Sequence, residues 1–394
     1  MKVGIYIPGL GQSFQQESVV KYATRLMNEL SYNKTGVTYE LKTEKINYSG
    51  AKESNVVSIL ENTTETQKTV YKLYEFKYSD LLTCKFNKYN IFIKSLSLLW
   101  LVIKKAPLLI TRLFARGNYN KPFQTFYIFG MFLVIASSIL FTIPAVFELL
   151  SSTFNLPEFQ DLFGWKLDGQ STNNFLEVFV SFIAVILILL PQSRNFTTEL
   201  STEFICINNY LEFGVQSQEI HGNLDLLVEY IAEKEVGSKI HFHSYSCGSI
   251  LAIDYLFQFG NEPSDNSKNL SEVLITIGTP YEFIKAYYPY FYNNRNKTLQ
   301  NNITWINVYS IADALATSFR EDSQIGEAQF GIPGIEHKPV NLNYEVAPVK
   351  KFSLANFFSL YSIRVHGMYW DATTEGQSCI RMIYKELNTR GLFY

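Results

Sequence analysis

The sequence predicts an α/β protein with a mostly parallel sheet, interrupted by a two-helix transmembrane hairpin. Short apolar segments, each followed by a polar turn and a helix-length segment, occur on both sides of the chain's middle. The middle is strongly apolar, with no charged residue from 122 to 147. Near residue 246, a strand-like segment enters a helix-like one through a turn of small residues. Together these features predict one sheet domain assembled from both sides of the hairpin.

The composition favours a folded protein and argues against a nucleic-acid partner. Of 394 residues, 47% are hydrophobic and 18% are charged, which is too apolar for a disordered chain. The formal net charge is −2, from 34 basic and 36 acidic residues, whereas a protein that binds phosphate backbones needs an excess of basic charge. The four cysteines contain no CxxC pair, so we expect neither a disulfide framework nor a metal site.

The strands and helices of the sheet domain are predicted in two blocks, 1–94 and 194–394. Apolar periodicity and flanking turn residues define them. The predicted strands are 3–7, 38–46, 71–76, 239–243, 273–277 and 304–309, and the predicted helices are about 15–30, 223–233, 249–257 and 378–387. Ligands of parallel sheets bind at the carboxyl ends of strands, so residues that follow these strands are candidates for the site.

The apolar middle, 122–193, predicts the transmembrane hairpin. About 20 apolar residues cross a bilayer's hydrocarbon core, so we expect spans at about 125–148 and 174–191; the alternative is buried helices of a soluble domain. Basic residues before the first span and acidic ones in the connecting loop place both ends of the hairpin in the cytoplasm. The segment 95–121, apolar but split by two lysines and Pro107, predicts an amphipathic interfacial helix.

A short turn between a predicted strand and a predicted helix reads Ser244-Tyr245-Ser246-Cys247-Gly248. Small residues two positions before and after a serine are typical of a nucleophile elbow, because the sharp turn leaves no room for larger side chains. Ser246 is therefore the candidate nucleophile. The backbone N–H of Cys247, at the start of the helix, is a candidate donor to an oxyanion.

A serine hydroxyl is a weak nucleophile, so the turn requires a base and an acid elsewhere in the chain. Asp313 follows the strand at 304–309, and His366 lies in a loop before the last helix. The order Ser, Asp, His along the chain is that of a nucleophile-elbow triad. The alternatives are that Asp313 caps a helix and that His366 is structural.

The turn after the first strand reads Pro8-Gly9-Leu10-Gly11. Glycines let the backbone approach a ligand without side-chain clashes, and acyl transfer needs a second N–H donor near the nucleophile. Leu10, or alternatively Gly11, is the candidate for this donor. The other interpretation is a tight strand-to-helix turn with no role in binding.

These motifs resemble the α/β-hydrolase superfamily, lipase and esterase branch, and in particular poorly characterised bacterial hydrolases with an inserted transmembrane hairpin. The similar segments are 7–11, 74–82, 245–249, 274–280, 304–313 and 366–370. The resemblance implies an α/β-hydrolase fold, a Ser-Asp-His triad and an integral protein of a bacterial inner membrane with its hydrolase domain in the cytoplasm. The chain departs from many relatives at Pro8 and Tyr245, where they have histidine, and at Ser244, where they have glycine.

The predicted function is a membrane-anchored serine hydrolase that cleaves a lipid or other acyl ester, with the lipid bilayer as a partner. Ser246 attacks the carbonyl, His366 transfers the proton and Asp313 orients His366. The backbone amides of Cys247 and Leu10 hold the oxyanion. No metal or organic cofactor is expected. The alternative function is an inactive hydrolase-fold membrane scaffold or signalling protein, and the sequence indicates no oligomeric state.

Overall fold

The computed structural model divides into two compact units. In the described residues, the first unit contains 2–81 and 210–393 and the second contains 82–114 and 205–209. The structure describes residues 2–10, 18–34, 36–89, 91–114, 205–212, 214–322, 324–345, 347–348, 361–370, 373–374, 376 and 378–393. The candidate site residues of the described chain all belong to the first unit.

An eight-stranded sheet organises the first unit, in the order β2-β3-β4-β1-β5-β6-β7-β8. The strands are β1 (Lys2–Ile7), β2 (Thr38–Ser49), β3 (Lys52–Asn62), β4 (Gln67–Glu75), β5 (Lys239–Tyr245), β6 (Ser271–Ile277), β7 (Thr304–Tyr309) and β8 (Val340–Asn343). Strands β4, β1, β5, β6, β7 and β8 run parallel to one another. The pairings β2–β3 and β3–β4 are antiparallel. The first strand therefore lies inside the sheet, between β4 and β5.

The predicted fold class, an α/β-hydrolase fold with a mostly parallel sheet interrupted by a transmembrane hairpin, was wrong. The sheet is mixed, and its three longest strands form an antiparallel meander without an intervening helix. The strand β3 was not predicted at all. The turn between β2 and β3 is very short, and Gly50 adopts a φ of 52° there, a conformation that favours glycine. Such a hairpin replaces the strand–helix–strand unit expected from the sequence.

The helices of the described residues are α1 (Val19–Asn33), α2 (Ser79–Asn87), α3 (Ile91–Phe114), α4 (Val215–Lys234), α5 (Cys247–Leu256), α6 (Asp265–Leu270), α7 (Tyr281–Tyr287), α8 (Tyr361–Val365) and α9 (Ile380–Thr389). Buried residues of α1 and α9 pack into one cluster with alternate residues of the central strands. On the opposite face, Phe242 of β5 contacts Tyr255 of α5. Because strand side chains alternate between faces, β5 contributes to both layers.

No described helix is long and apolar enough to cross a membrane. This finding overturns the predicted integral membrane protein and its inner-membrane location. The residues of the two predicted spans, about 125–148 and 174–191, lie outside the described residues. The predicted interfacial segment, 95–121, is helical in its described part, within α3; Lys104, Lys105 and Pro107 interrupt its apolar sequence, which is unfavourable for a span.

A chain of hydrogen bonds runs through the core beneath α1. Its members, in order, are Tyr22, His243, Tyr71, His241, Glu272 and Lys2. The Tyr71 hydroxyl lies 2.8 Å from His243 Nε2 and 2.9 Å from His241 Nδ1. Since an ionised Glu272 only accepts hydrogen bonds, His241 donates to it from Nε2, and Tyr71 then donates to His241 Nδ1. Each histidine is neutral in this arrangement.

The buried histidines predict that the protein is destabilised by mild acid. Burial lowers the pKa of His241, despite the opposing effect of Glu272, and lowers the pKa of His243 well below its ordinary value. In the unfolded chain both groups titrate near pH 6.5. The unfolded state therefore binds more protons than the folded state below about pH 6.5, and the free energy of unfolding falls as the pH drops, by up to about 1.4 kcal/mol per pH unit for each histidine.

Urea denaturation between pH 7.5 and 5.5 measures this slope. The double variant His241→Gln/His243→Gln should flatten it. The matched control is His337→Gln, which removes an imidazole that does not belong to this series of hydrogen bonds. It should leave in place most of the dependence of the free energy of unfolding on pH. A wild-type free energy of unfolding that stays constant over this range would show that the two histidines are not held neutral.

Candidate active site

Ser246 lies at the junction between β5 and α5 in a strained backbone conformation. Its φ is 52° and its ψ is −124°, a region that residues with a side chain rarely occupy. The Ser246 N–H donates to the carbonyl of Ile277, at the end of the neighbouring strand β6, over 2.8 Å. The strand before Ser246 and the helix after it keep its backbone in this unfavourable conformation. The hydroxyl is consequently presented at the carboxyl end of the parallel strands.

Gly248 is needed because the backbone after β1 crosses directly over it. A Cβ added at Gly248 would lie 2.5 Å from the Pro8 carbonyl oxygen and closer still to that of Ile7. A Cβ at Gly9 would lie 3.1 Å from the Cβ of Ser246. The prediction that the residue two positions after the serine must be small is therefore confirmed. The chain segment that it contacts is the predicted oxyanion turn.

His366 is the histidine that contacts Ser246. Its Nε2 lies 2.7 Å from the Ser246 Oγ, and its Nδ1 lies 2.8 Å from Asp313 Oδ2. An ionised Asp313 accepts from Nδ1–H, which leaves Nε2 as the acceptor for the serine hydroxyl. His241 and His243 belong instead to the chain of hydrogen bonds in the core beneath α1. The order of residues along the sequence thus led to the histidine that the fold brings to the serine.

Asp313 is fully buried in the turn that follows β7. Besides the imidazole, its carboxylate accepts a hydrogen bond from Leu315 N–H at Oδ1 and from the Tyr369 hydroxyl at Oδ2, over 2.8 and 2.9 Å. No helix begins at Asp313, because the described residues that follow it form turns and bends. The alternative that Asp313 is a helix cap is therefore wrong, and its bond to Leu315 is typical of an Asx turn.

Tyr245, immediately before the nucleophile, holds the base in place. Its hydroxyl donates to the backbone carbonyl of His366, and its ring stacks on the imidazole with a centroid distance of 5.6 Å and an interplanar angle of 20°. Trp370 packs edge-on against Tyr245, with a centroid distance of 5.6 Å. Tyr245 therefore contributes directly to the geometry of the site.

Two of the three predicted oxyanion donors, Leu10 and Cys247, lie within the described residues. Cys247 is the first residue of α5, and the N-terminal end of a helix carries a partial positive charge that favours a developing oxyanion. Leu10 is buried just beyond Gly9, and Gly11 lies outside the described residues. The Pro8 carbonyl accepts a hydrogen bond from the buried Tyr78 hydroxyl over 2.9 Å, which fixes the start of this turn.

Several residues of the site were not predicted from the sequence. Glu345 accepts hydrogen bonds from the Ser310 hydroxyl, over 2.7 Å, and from the Ile311 N–H, and so anchors the turn that carries Asp313. Tyr369 donates a hydrogen bond to the Asp313 carboxylate, and Tyr78 donates one to the Pro8 carbonyl of the predicted oxyanion turn. A signal existed for Tyr369, since it lies three residues after the candidate base and thus near it in a turn. No local pattern connects Glu345 or Tyr78 with the residues that they contact.

The chain matches no known family model, no curated protein and no solved structure. The resemblance to the α/β-hydrolase superfamily with an inserted hairpin is therefore wrong, because no family supports it, the sheet is mixed and no described helix can cross a membrane. The segments that carried it are short, and short motifs of this kind match by chance. The geometry of Ser246, His366 and Asp313 stands independently of that resemblance.

Proposed function

We propose that this protein is a serine hydrolase that cleaves acyl esters through an acyl-enzyme intermediate. The observation that carries the proposal is the continuous path of hydrogen bonds from Ser246 through His366 to Asp313, at 2.7 and 2.8 Å. Both distances are within the range required of a nucleophile and its base, and the base is itself oriented by a third group. The strained backbone of Ser246 supports the same role, since strain of this kind is concentrated at functional sites.

The proposed reaction follows from the donors and acceptors at the site. Ser246 Oγ attacks the ester carbonyl while His366 Nε2 takes its proton, and Asp313 stabilises the imidazolium that forms. The imidazolium then gives the proton to the leaving alkoxide, which departs as an alcohol and leaves the acyl group on Ser246. Water, deprotonated by His366, attacks this acyl group, and the proton returns to Ser246 as the carboxylic acid leaves.

The proposed substrate class is an acyl ester. The oxygen of its carbonyl becomes negative in the tetrahedral intermediate, and the N-terminus of α5 together with the turn at Leu10 provides the backbone dipoles that stabilise such a charge. No metal or organic cofactor takes part in this sequence of steps. The lipid bilayer stays a predicted partner. A comparison of kcat/KM between short-chain and long-chain esters would measure the preferred length of the acyl chain.

Covalent labelling tests the proposal. A fluorophosphonate probe reacts with a serine only when a base activates it, so we expect stoichiometric labelling of wild-type protein, with the modified peptide containing Ser246. Ser246→Ala should abolish labelling. The matched control is Ser249→Ala, which removes a buried hydroxyl one turn further along α5. Wild-type protein that is folded but neither labelled nor able to hydrolyse p-nitrophenyl esters of any chain length would favour the scaffold function instead.

A further inference from the structure

Tyr369 is buried directly behind the acid of the site. Its hydroxyl lies 2.9 Å from Asp313 Oδ2 and 3.0 Å from the backbone nitrogen of Ser310. The amide can only donate, so the hydroxyl accepts from Ser310 and must donate its own proton to Asp313. The phenol thus connects the carboxylate to the start of the turn on which the carboxylate is carried.

The same carboxylate oxygen receives two hydrogen bonds. Asp313 Oδ2 accepts from the imidazole Nδ1–H of His366 at 2.8 Å and from the Tyr369 hydroxyl at 2.9 Å. Two donors at one oxygen share its charge, so the phenol limits how strongly that oxygen attracts the imidazole proton. The phenol is a permanent donor, because burial, followed by the nearby Asp313 carboxylate, raises the pKa of Tyr369 well above its ordinary value.

The ring of Tyr369 is fixed by close neighbours. It meets the imidazole of His366 edge-on, at a centroid distance of 6.4 Å and an angle of 90°. A Cβ added at Gly278 would lie 2.9 Å from Tyr369 Cε2 and 3.1 Å from His366 Cε1. Both rings therefore use the space that this glycine leaves at the end of β6. The Tyr369 hydroxyl has little freedom to move away from Asp313.

We propose that Tyr369 is a positioning residue that orients Asp313 and moderates its charge, so that the site is a four-membered chain of Tyr369, Asp313, His366 and Ser246. The proposal deepens the proposed hydrolase function and rests on it for its kinetic consequences. Its geometric part, a phenol that weakens the hydrogen bond between Asp313 and the imidazole, has a readout that does not require turnover.

The variant Tyr369→Phe removes the hydroxyl and retains the ring. The charge of Asp313 Oδ2 is then no longer shared with the phenol, so this oxygen attracts the imidazole Nδ1–H more strongly. We expect the acid limb of the kcat/KM profile to move to higher pH by about half a unit or more. We expect kcat to fall about tenfold, because Asp313 loses a hydrogen bond that orients its carboxylate toward His366. The matched control is Tyr309→Phe, since Tyr309 is also buried but its hydroxyl accepts from Gly326 N–H; its profile should overlay that of the wild type.

Proton NMR provides the independent readout. The Nδ1–H resonance of His366, assigned by its loss in His366→Gln, should move downfield in Tyr369→Phe because its acceptor becomes stronger. Replacement of Tyr369 by 3-fluorotyrosine introduces a better donor that fills nearly the same space. It should move both the resonance and the acid limb in the opposite direction, and it provides the test if Tyr369→Phe does not fold. An unchanged resonance and an unchanged pH profile would overturn the positioning role. A shifted resonance in a protein that hydrolyses no ester and takes no fluorophosphonate would retain the hydrogen-bond arrangement and overturn the hydrolase function.

Discussion

Replacing Asp313 by Asn is expected to lower kcat for ester hydrolysis by about 10⁴-fold, the effect of losing the orienting acid in a triad of this type. The Asn side chain keeps the shape of the carboxylate but presents an NH₂ group that donates to His366 Nδ1. The imidazole proton is then forced onto Nε2, the atom that has to accept the proton of Ser246. The nucleophile consequently loses its base although the backbone geometry is retained.

Steady-state kinetics with a p-nitrophenyl ester and circular dichroism of the same samples test this prediction. The matched control is Asp322→Asn, which neutralises a more exposed aspartate paired with Arg320 at 2.7 Å; this change should leave kcat within about twofold of the wild type. A folded Asp313→Asn protein that retains more than a tenth of wild-type turnover would remove Asp313 from the proposed mechanism.

Replacing Gly248 by Ala is expected to lower the free energy of unfolding by about 3 kcal/mol and to abolish fluorophosphonate labelling. The added methyl group meets two backbone carbonyl oxygens, those of Ile7 and Pro8, which cannot rotate away as a side chain can. Overpacking of this kind costs about 1–3 kcal/mol or more. Relief of the clash requires β1 and its turn to separate from α5, which displaces the proposed oxyanion donors from Ser246.

Gly222 provides the matched control for Gly248. It also lies in a helix, α4, but a Cβ added there meets no atom within 4 Å. Because alanine is the better helix former, Gly222→Ala should raise the free energy of unfolding by up to about 1 kcal/mol. Urea denaturation of both variants gives the comparison, and equal stabilities with full labelling of Gly248→Ala would contradict the close approach of the two backbones.

Sequence patterns were informative where a short segment determines its own geometry. Ser246 was identified because the elbow requires small residues at fixed distances, and those requirements are local. The strand predicted at 304–309 coincides with β7, which placed Asp313 at its carboxyl end. His366 followed from its order in the chain, although nothing local indicated that its imidazole would be stacked on Tyr245.

Long-range pairings were not accessible in the same way. The partnership of β2 with β3 was missed because β2 is largely exposed and its mixture of polar and apolar residues does not indicate a partner. The contacts of Tyr78 with Pro8 and of Glu345 with Ser310 join segments far apart in the sequence. The membrane prediction rested on the length of uncharged apolar segments and on the charges that flank them, and no helix of the described residues has that length and apolar character.

The central position of β1 has a consequence for how the chain is synthesised. Lys2 pairs opposite Lys239 and Ile7 opposite Ser244, so β1 is translated long before the strand β5 that pairs with it. At about 5–20 residues per second this delay is on the order of 10 to 50 s. During that interval one edge of β1 has no native partner, and it exposes both backbone hydrogen-bonding groups and apolar side chains. The nascent chain is therefore expected to depend on chaperones until β5 emerges and the nucleophile turn, which packs against β1, is able to form.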